Sequence, residues 1–339
     1  MRFLQDIFNQ YPVTIYSCVN KDATSCTLIA IAAAVLFGAS APLSKVLLSQ
    51  IDPIAMAGLL YLGSGTGLLL FRVIMKFFKF DTMSVKLGMP DLPWLMVAVF
   101  AGGVVAPIML MYGLSDTPAA TASLLLNFEC VSTTLIAVMI FKDVMDRRIW
   151  AAILLVTAAS FVLSYDPGSQ WGVSIGALGV IGACVFWGID NNFTRNICGK
   201  DPVSIGMVKG LVAGSFSLLL ALALGQAMPD AVLILYALAL GSVSYGLSIV
   251  LFIFSMRGLG AARSSAWLST APFTGAIIAF IVLREEVYSG FLLALPIMLA
   301  GAALLFFEEH KHVHVHAGME HDHCHSPGDL YHEHEHTDD

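Results

Sequence analysis

The chain has 339 residues, of which 58% are apolar and 12% charged. A soluble domain carries roughly a quarter charged residues, so most of this surface cannot face water and lipid must be its solvent. The formal charge of −7 sits in the tail: residues 308–339 hold nine acids, one base and all ten histidines, leaving fifteen acids and sixteen bases elsewhere.

Residues 1–26 are mixed polar, with no cleavable signal peptide evident. Phe3, Leu4, Ile7 and Phe8 recur at helical spacing before Pro12, which fits either a short interfacial helix or a flexible terminus. A spanning helix needs ~20 apolar residues. Ten such segments follow, over approximately 27–49, 53–77, 92–115, 117–142, 147–165, 172–197, 202–224, 230–256, 259–283 and 288–307. Turn and helix-start signals separate them, among them Asp52-Pro53, Asp116-Thr117-Pro118, Asp166-Pro167-Gly168 and Asp201-Pro202. With the N-terminus cytoplasmic, fourteen of the seventeen lysines and arginines fall on the inner side, while Lys45 and Arg284 fall outside and Lys209 lies within a span. That bias predicts a multi-pass protein of the cell membrane with both termini cytoplasmic.

The two halves are related. Ala34-Val35-Leu36-Phe37-Gly38 matches Cys184-Val185-Phe186-Trp187-Gly188, which sets Lys45 opposite Arg195 and Asp52-Pro53 opposite Asp201-Pro202. Later, Ala119 to Ser123 matches Ala261 to Ser265, and Lys142-Asp143 matches Arg284-Glu285. Each half has an odd number of spans, so the second inserts upside down, an architecture of many secondary transporters. The expected fold class is an all-α integral membrane protein of ten transmembrane helices in two inverted five-helix repeats. Residues 27–165 form the first repeat and 172–307 the second, between an N-terminal cytoplasmic segment, 1–26, and a disordered cytoplasmic histidine-rich tail, 308–339.

On these residues the chain resembles the drug/metabolite transporter superfamily, specifically its EamA-type ten-helix permeases. The resemblance covers residues ~27–307 and is carried by Leu36 to Pro42 with Lys45, by Ala119 to Ser123 leading to Lys142-Asp143, and by Trp187-Gly188 with Ala271-Pro272-Phe273 leading to Arg284-Glu285-Glu286. One subgroup is similar in the run Asp190 to Arg195 and in a histidine-rich tail. The resemblance implies substrate:proton exchange or facilitated export of metabolites, without implying one substrate.

An ionisable group at mid-membrane costs at least ~2.5 kcal/mol, so such groups face a cavity or a partner. Glu129, in Asn127-Phe128-Glu129, lies ~18 Å into the fourth span, and its repeat counterpart is Ala271. It reads as a proton-coupling or substrate-contacting acid, or else as a carboxylate paired to a structural donor. Asn191 and Arg195 share one face of the sixth span, as do Asp190 and Thr194, with Asn192 beside them. Lys209 lies at a depth similar to that of Asp190, so the two are expected to pair, as a gate or as a static ion pair. Arg263, about a turn inside the ninth span, would meet an anionic substrate group or snorkel to the cytoplasm. Tyr245, Trp267, Trp187 and Tyr112 are candidates to line a cavity or to pack structurally.

The tail carries His310, His312, His314, His316, His321, His323, Cys324, His325, His332, His334 and His336, a composition suited to divalent transition metals. Spacing of two does not stack ligands on a helix face, so a flexible chelator is expected rather than one fixed site, and the affinity is functional or incidental. The leading function is a secondary transporter, an exporter of a small metabolite, working by alternating access between the inverted halves, with a proton as the candidate coupling ion. The alternative is a divalent metal transporter (Zn, Ni or Co) or a membrane-anchored metal sensor using the tail. No enzyme motif and no Walker A sequence occur, and no nucleic-acid partner or required cofactor is expected. The partners are the lipid bilayer and a small-molecule substrate.

Overall fold

The computed structural model describes residues 23–77, 87–143, 145–170 and 172–306. Most of the N-terminal segment and the whole histidine-rich tail, with every candidate metal ligand in it, lie outside the described residues. Nine helices among the described residues are long and apolar enough to cross a membrane, judged by length and composition: α1 Thr24–Leu47, α2 Pro53–Phe77, α3 Met89–Asp116, α4 Ala119–Phe141, α5 Arg147–Ser164, α6 Ile175–Ile197, α7 Pro202–Ala223, α8 Ala231–Met256 and α9 Arg263–Leu283. A tenth apolar helix, α10 Ser289–Leu305, is shorter. The protein is an all-helical, multi-pass membrane protein.

The helices start where short polar side chains can serve orphan N–H groups. Asp146 accepts from Arg147 N, Ser174 Oγ from Ala177 N, and the Asp201 carboxylate from Val203 N and Ser204 N. Large apolar side chains such as Leu70, Phe100, Phe161, Leu219, Leu235 and Leu292 are exposed, as lipid allows and water would not. Buried Met56, Leu60, Leu110, Leu124, Val131, Val156 and Met298 form one continuous core that joins both halves.

Packing follows the inverted repeat. Helix α1 packs on α8 and α9 as α6 packs on α3 and α4, while the equivalent pairs α2–α7, α4–α9 and α5–α10 pack on each other. Gly38 lets α1 approach the start of the second leg of α9, and its counterpart Gly188 lets α6 approach Ser132 and Thr133 of α4. Where α2 crosses α7, Gly65 meets Gly210 backbone to backbone.

Three features of the helices are not visible as hydrophobic periodicity. Helices α3 and α8 each contain a π-helical stretch at matching places, Val99–Val105 and Gly241–Leu247. Helices α4 and α9 are each broken at mid-span, at Leu126–Asn127 and Ser269–Thr270, and α1 has a lesser break at Ala39. Helices α4 and α9 both end on a non-glycine residue in the left-handed region, Lys142 at φ 57° and Arg284 at φ 51°. Such residues are uncommon, and these two are the pair matched by the repeat. The ends of α2, α4 and α6 define a basic face, with Arg72, Asp143 and Arg195; the ends of α1, α3 and α9 define the far face, with Lys45 and Glu285.

Candidate functional site

The broken middle of α4 is the centre of a polar cluster. At the break the backbone bonds tighten to i→i+3, Asn127 N to Leu124 O and Glu129 N to Leu126 O, both at 3.1 Å. Asn127 Nδ2 donates to Leu124 O at 3.0 Å, and the buried Cys184 thiol of α6 points at Leu125 O and Leu126 O at 3.7 and 3.9 Å. The second leg, Phe128–Phe141, begins inside the protein with Glu129 in its first turn, where the helix dipole favours a negative charge. Glu129 is half-buried; its Oε1 accepts from Asn191 Nδ2 of α6 at 2.9 Å, and no hydrogen bond among the described residues reaches Oε2. Asn191 Nδ2 also lies 3.1 Å from Thr133 Oγ1, and Asn192 Nδ2 donates to Thr133 O and Gly188 O at 2.9 and 2.8 Å. Asparagine side chains thus bind α6 to the second leg of α4.

The other flank of α6 faces α3 and α7. Asp190 is buried, its Oδ1 accepts from Thr194 Oγ1 at 2.9 Å, and its Oδ2 is paired with Lys209 Nζ. The expected pairing of these two charges is therefore present. The carboxylate lies directly against the Cα of Gly102, so closely that a Cβ at that position would overlap it. Gly102 sits in the π-helical stretch of α3. Its carbonyl accepts from Tyr61 Oη at 2.7 Å and from Trp187 Nε1 at 3.0 Å. A wide π turn frees a carbonyl from the helical ladder, and here two aromatic donors from α2 and α6 occupy it. Trp187 Nε1 lies 3.3 Å from Tyr61 Oη; Tyr61 stands 6.1 Å from Tyr245, which meets Phe37 edge-on at 5.7 Å. Four helices, α1, α2, α6 and α8, thus bring rings together around the Gly102 carbonyl of α3, and Trp187 stands one helical turn before Asn191, the residue that contacts Glu129.

The structure brings Glu129, Asn191, Asn192, Asp190, Lys209, Tyr245 and Trp187 together, with Asn127 at the break itself, and places Arg195, Arg263 and Trp267 elsewhere. Arg195 does not share the Asn191 contacts. The chain tightens into the turn Arg195–Ile197, and the guanidinium pairs with Asp143 Oδ2 at 2.8 Å, 5.7 Å from the Phe141 ring centre. Asn127 serves the helix break. Arg263 and Trp267 lie on the first leg of α9, Ala261–Leu268, where both are exposed and Arg263 makes no ion pair among the described residues.

Tyr61, Thr133, Phe37 and Gly102 escape sequence reasoning as site residues because none carries a formal charge at neutral pH and each has an ordinary packing role. Asp143 was legible: the repeat sets Lys142-Asp143 opposite Arg284-Glu285 and Arg195 opposite Lys45, which places one acid and one base near each face. On the far face, Glu285 accepts from Ala119 N and Ala120 N at 2.6 and 2.8 Å, and Lys45 Nζ donates to Leu114 O, Ser115 O and Thr117 O at 2.6, 2.7 and 3.1 Å. On the basic face Lys200 also pairs with Asp91 at 3.2 Å, and Arg72 with Asp201 at 3.4 Å.

No group of three or more His, Cys, Asp or Glu among the described residues could hold a metal ion. Cys130, next to Glu129, is exposed, while the Cys184 thiol is committed to the helix break. The metal-transport alternative has no support within the spans.

Comparison with known proteins agrees with this architecture. A curated relative, an "Uncharacterized transporter" of Methanothermobacter thermautotrophicus (strain Delta H), is 29% identical over 293 residues, covering 82% of this chain and 84% of that one. A solved crystal structure matches with a TM-score of 0.57 at 16% identity, over 83% of this chain and 96% of that one, and shares the fold. The model of the EamA-like transporter family matches twice, at residues 24–165 and 174–307. Two successive matches fall on the two halves whose helices pack as inverted equivalents. By fold, repeat and sequence, the chain belongs to the EamA-like transporter family, membrane transporters of small solutes.

Proposed function

We propose that this protein is a secondary transporter of the cell membrane that exports a small metabolite by alternating access between its two repeats, with both termini cytoplasmic. Glu129 is the acid that couples solute to proton movement, and Asn191 positions it. The observation that carries this reading is the Glu129–Asn191 contact, in which a carboxylate from the first repeat meets an amide from the second at the broken centre of α4. Discontinuous helices near the bilayer midplane mark substrate and coupling sites in inverted-repeat transporters.

The two faces supply matching closures. On the basic face the halves are joined by Asp143–Arg195, Asp91–Lys200 and Arg72–Asp201. On the far face the Glu285 carboxylate of the second half caps the start of α4 in the first. Alternating access requires each set to part in turn while the central site remains assembled.

The test is reconstitution of the full chain in vesicles with an imposed pH gradient and a panel of labelled metabolites. At least one solute should move with the gradient in wild type and not with Glu129→Gln. Equal movement in both would remove Glu129 from the mechanism.

A further inference from the structure

We infer that the site takes a small organic monocation, an ammonium group on a compact apolar body, with its nitrogen at Glu129 and its body against Phe37, Tyr61, Trp187 and Tyr245. The inference rests on the transporter reading above and narrows it to a substrate class.

Three formal charges meet near the middle of the described spans: Glu129, Asp190 and Lys209. Lys209 is committed to Asp190, and Thr194 holds the other oxygen of that carboxylate, so the pair is neutral as a unit. Glu129 forms no ion pair among the described residues. Asn191 gives it one neutral donor and leaves Oε2 without one. The centre therefore carries one uncompensated negative charge when Glu129 is ionised, in a place where desolvation makes a counter-charge valuable.

The polar edges of Tyr61 and Trp187 are spent on Gly102 O, so they do not supply donors to a substrate carboxylate or phosphate. The cluster offers ring surface, and the faces of such rings attract cations. An anionic group would also lack a cation to meet, since Lys209 is engaged, Arg195 is paired with Asp143, and Arg263 lies near the end of its span. A zwitterion would leave its carboxylate without a partner, which is why the assignment is to a monocation.

Equilibrium titration of the purified full chain with 2-phenylethylamine, 2-phenylethanol and phenylalanine at neutral pH tests this without any variant. The amine should bind at least tenfold more tightly than the alcohol or the zwitterion. Glu129→Gln, checked for monodispersity, should lose the preference for amine over alcohol. Phe37→Leu, which removes a ring carrying no polar group, should weaken amine binding several-fold. The assignment is overturned if the alcohol or the zwitterion matches the amine, if the amine does not bind at millimolar concentration, if the preference survives in folded Glu129→Gln, or if Phe37→Leu leaves amine affinity unchanged. Vesicle transport judges the underlying reading separately: coupled movement of a neutral or anionic solute alongside any of those results would keep the transporter and remove the monocation.

Discussion

Asn191 on α6 donates its side-chain amide to the Glu129 carboxylate on α4 at 2.9 Å, and the two residues belong to opposite repeats. The contact is possible because α4 is broken just before Glu129 and because Gly188, one turn before Asn191, lets α6 lie against the second leg. Replacing Asn191 by alanine removes this hydrogen bond, and a bond to a charged group contributes about 1.5–3 kcal/mol. Asn191→Ala should lower solute transport about tenfold or more, with expression and monodispersity kept. Initial rates in vesicles normalised to protein content check this; an unchanged rate would make the contact structural.

Asp190 and Lys209 form a second, buried pair of different character. Removing one partner of a buried pair typically costs about 3–5 kcal/mol, whereas removing both can be nearly neutral. Lys209→Met should therefore lower the thermal unfolding midpoint in detergent by several degrees, and Asp190→Asn with Lys209→Met should recover most of that loss. If the pair also gates, the double variant regains stability without regaining transport, and the two assays on one preparation separate these roles.

The spans were legible because the bilayer imposes a length and a composition on any helix that crosses it, and the inversion followed from repeat matches such as Phe37-Gly38 with Trp187-Gly188. The Asp190–Lys209 pair was legible because two opposite charges at one depth need each other. The break at Leu126–Asn127 was not, since no proline or glycine lies there, whereas Pro272, just past Ser269–Thr270, marks the start of the second leg of α9. Nor were the π stretches, which hydrophobic periodicity does not register; in α3 the stretch leaves the Gly102 carbonyl to Tyr61 and Trp187 of other helices. Arg195 departs from the expected face for a local reason: helical periodicity continues the Asn191 face through it, while the chain tightens at that point and turns the guanidinium to Asp143.

Gly102 has the narrowest tolerance in the cluster. A Cβ there would occupy the space of the Asp190 carboxylate, whereas a Cβ at Gly168, in the α5–α6 connection, would meet only Asp166 Oδ1 at 3.4 Å. Gly102→Ala should lower the unfolding midpoint by several degrees and abolish transport. Gly168→Ala should leave both near wild type. Parallel thermal scans and vesicle assays report the contrast.

Asp143 and Arg195 close the basic face, and neutralising the acid weakens a charge-assisted hydrogen bond. Asp143→Asn should favour the state open to that face. In a chain with its six native cysteines replaced by serine, Thr133→Cys should then react several-fold faster with an impermeant maleimide applied from the basic face. Labelling from the far face should slow correspondingly.

The histidine-rich tail lies outside the described residues. Ending the chain at Phe307 should leave solute transport unchanged and remove divalent-metal binding from the purified protein, as read by isothermal titration.

Counterflow tests the central claim most directly, because a carrier that reorients around one site exchanges solute faster than it moves solute one way. Vesicles preloaded with an unlabelled transported solute should take up the labelled solute several-fold faster than empty vesicles, and Glu129→Gln should abolish the uptake. Uptake indifferent to preloading, or preserved in Glu129→Gln, would contradict alternating access around Glu129.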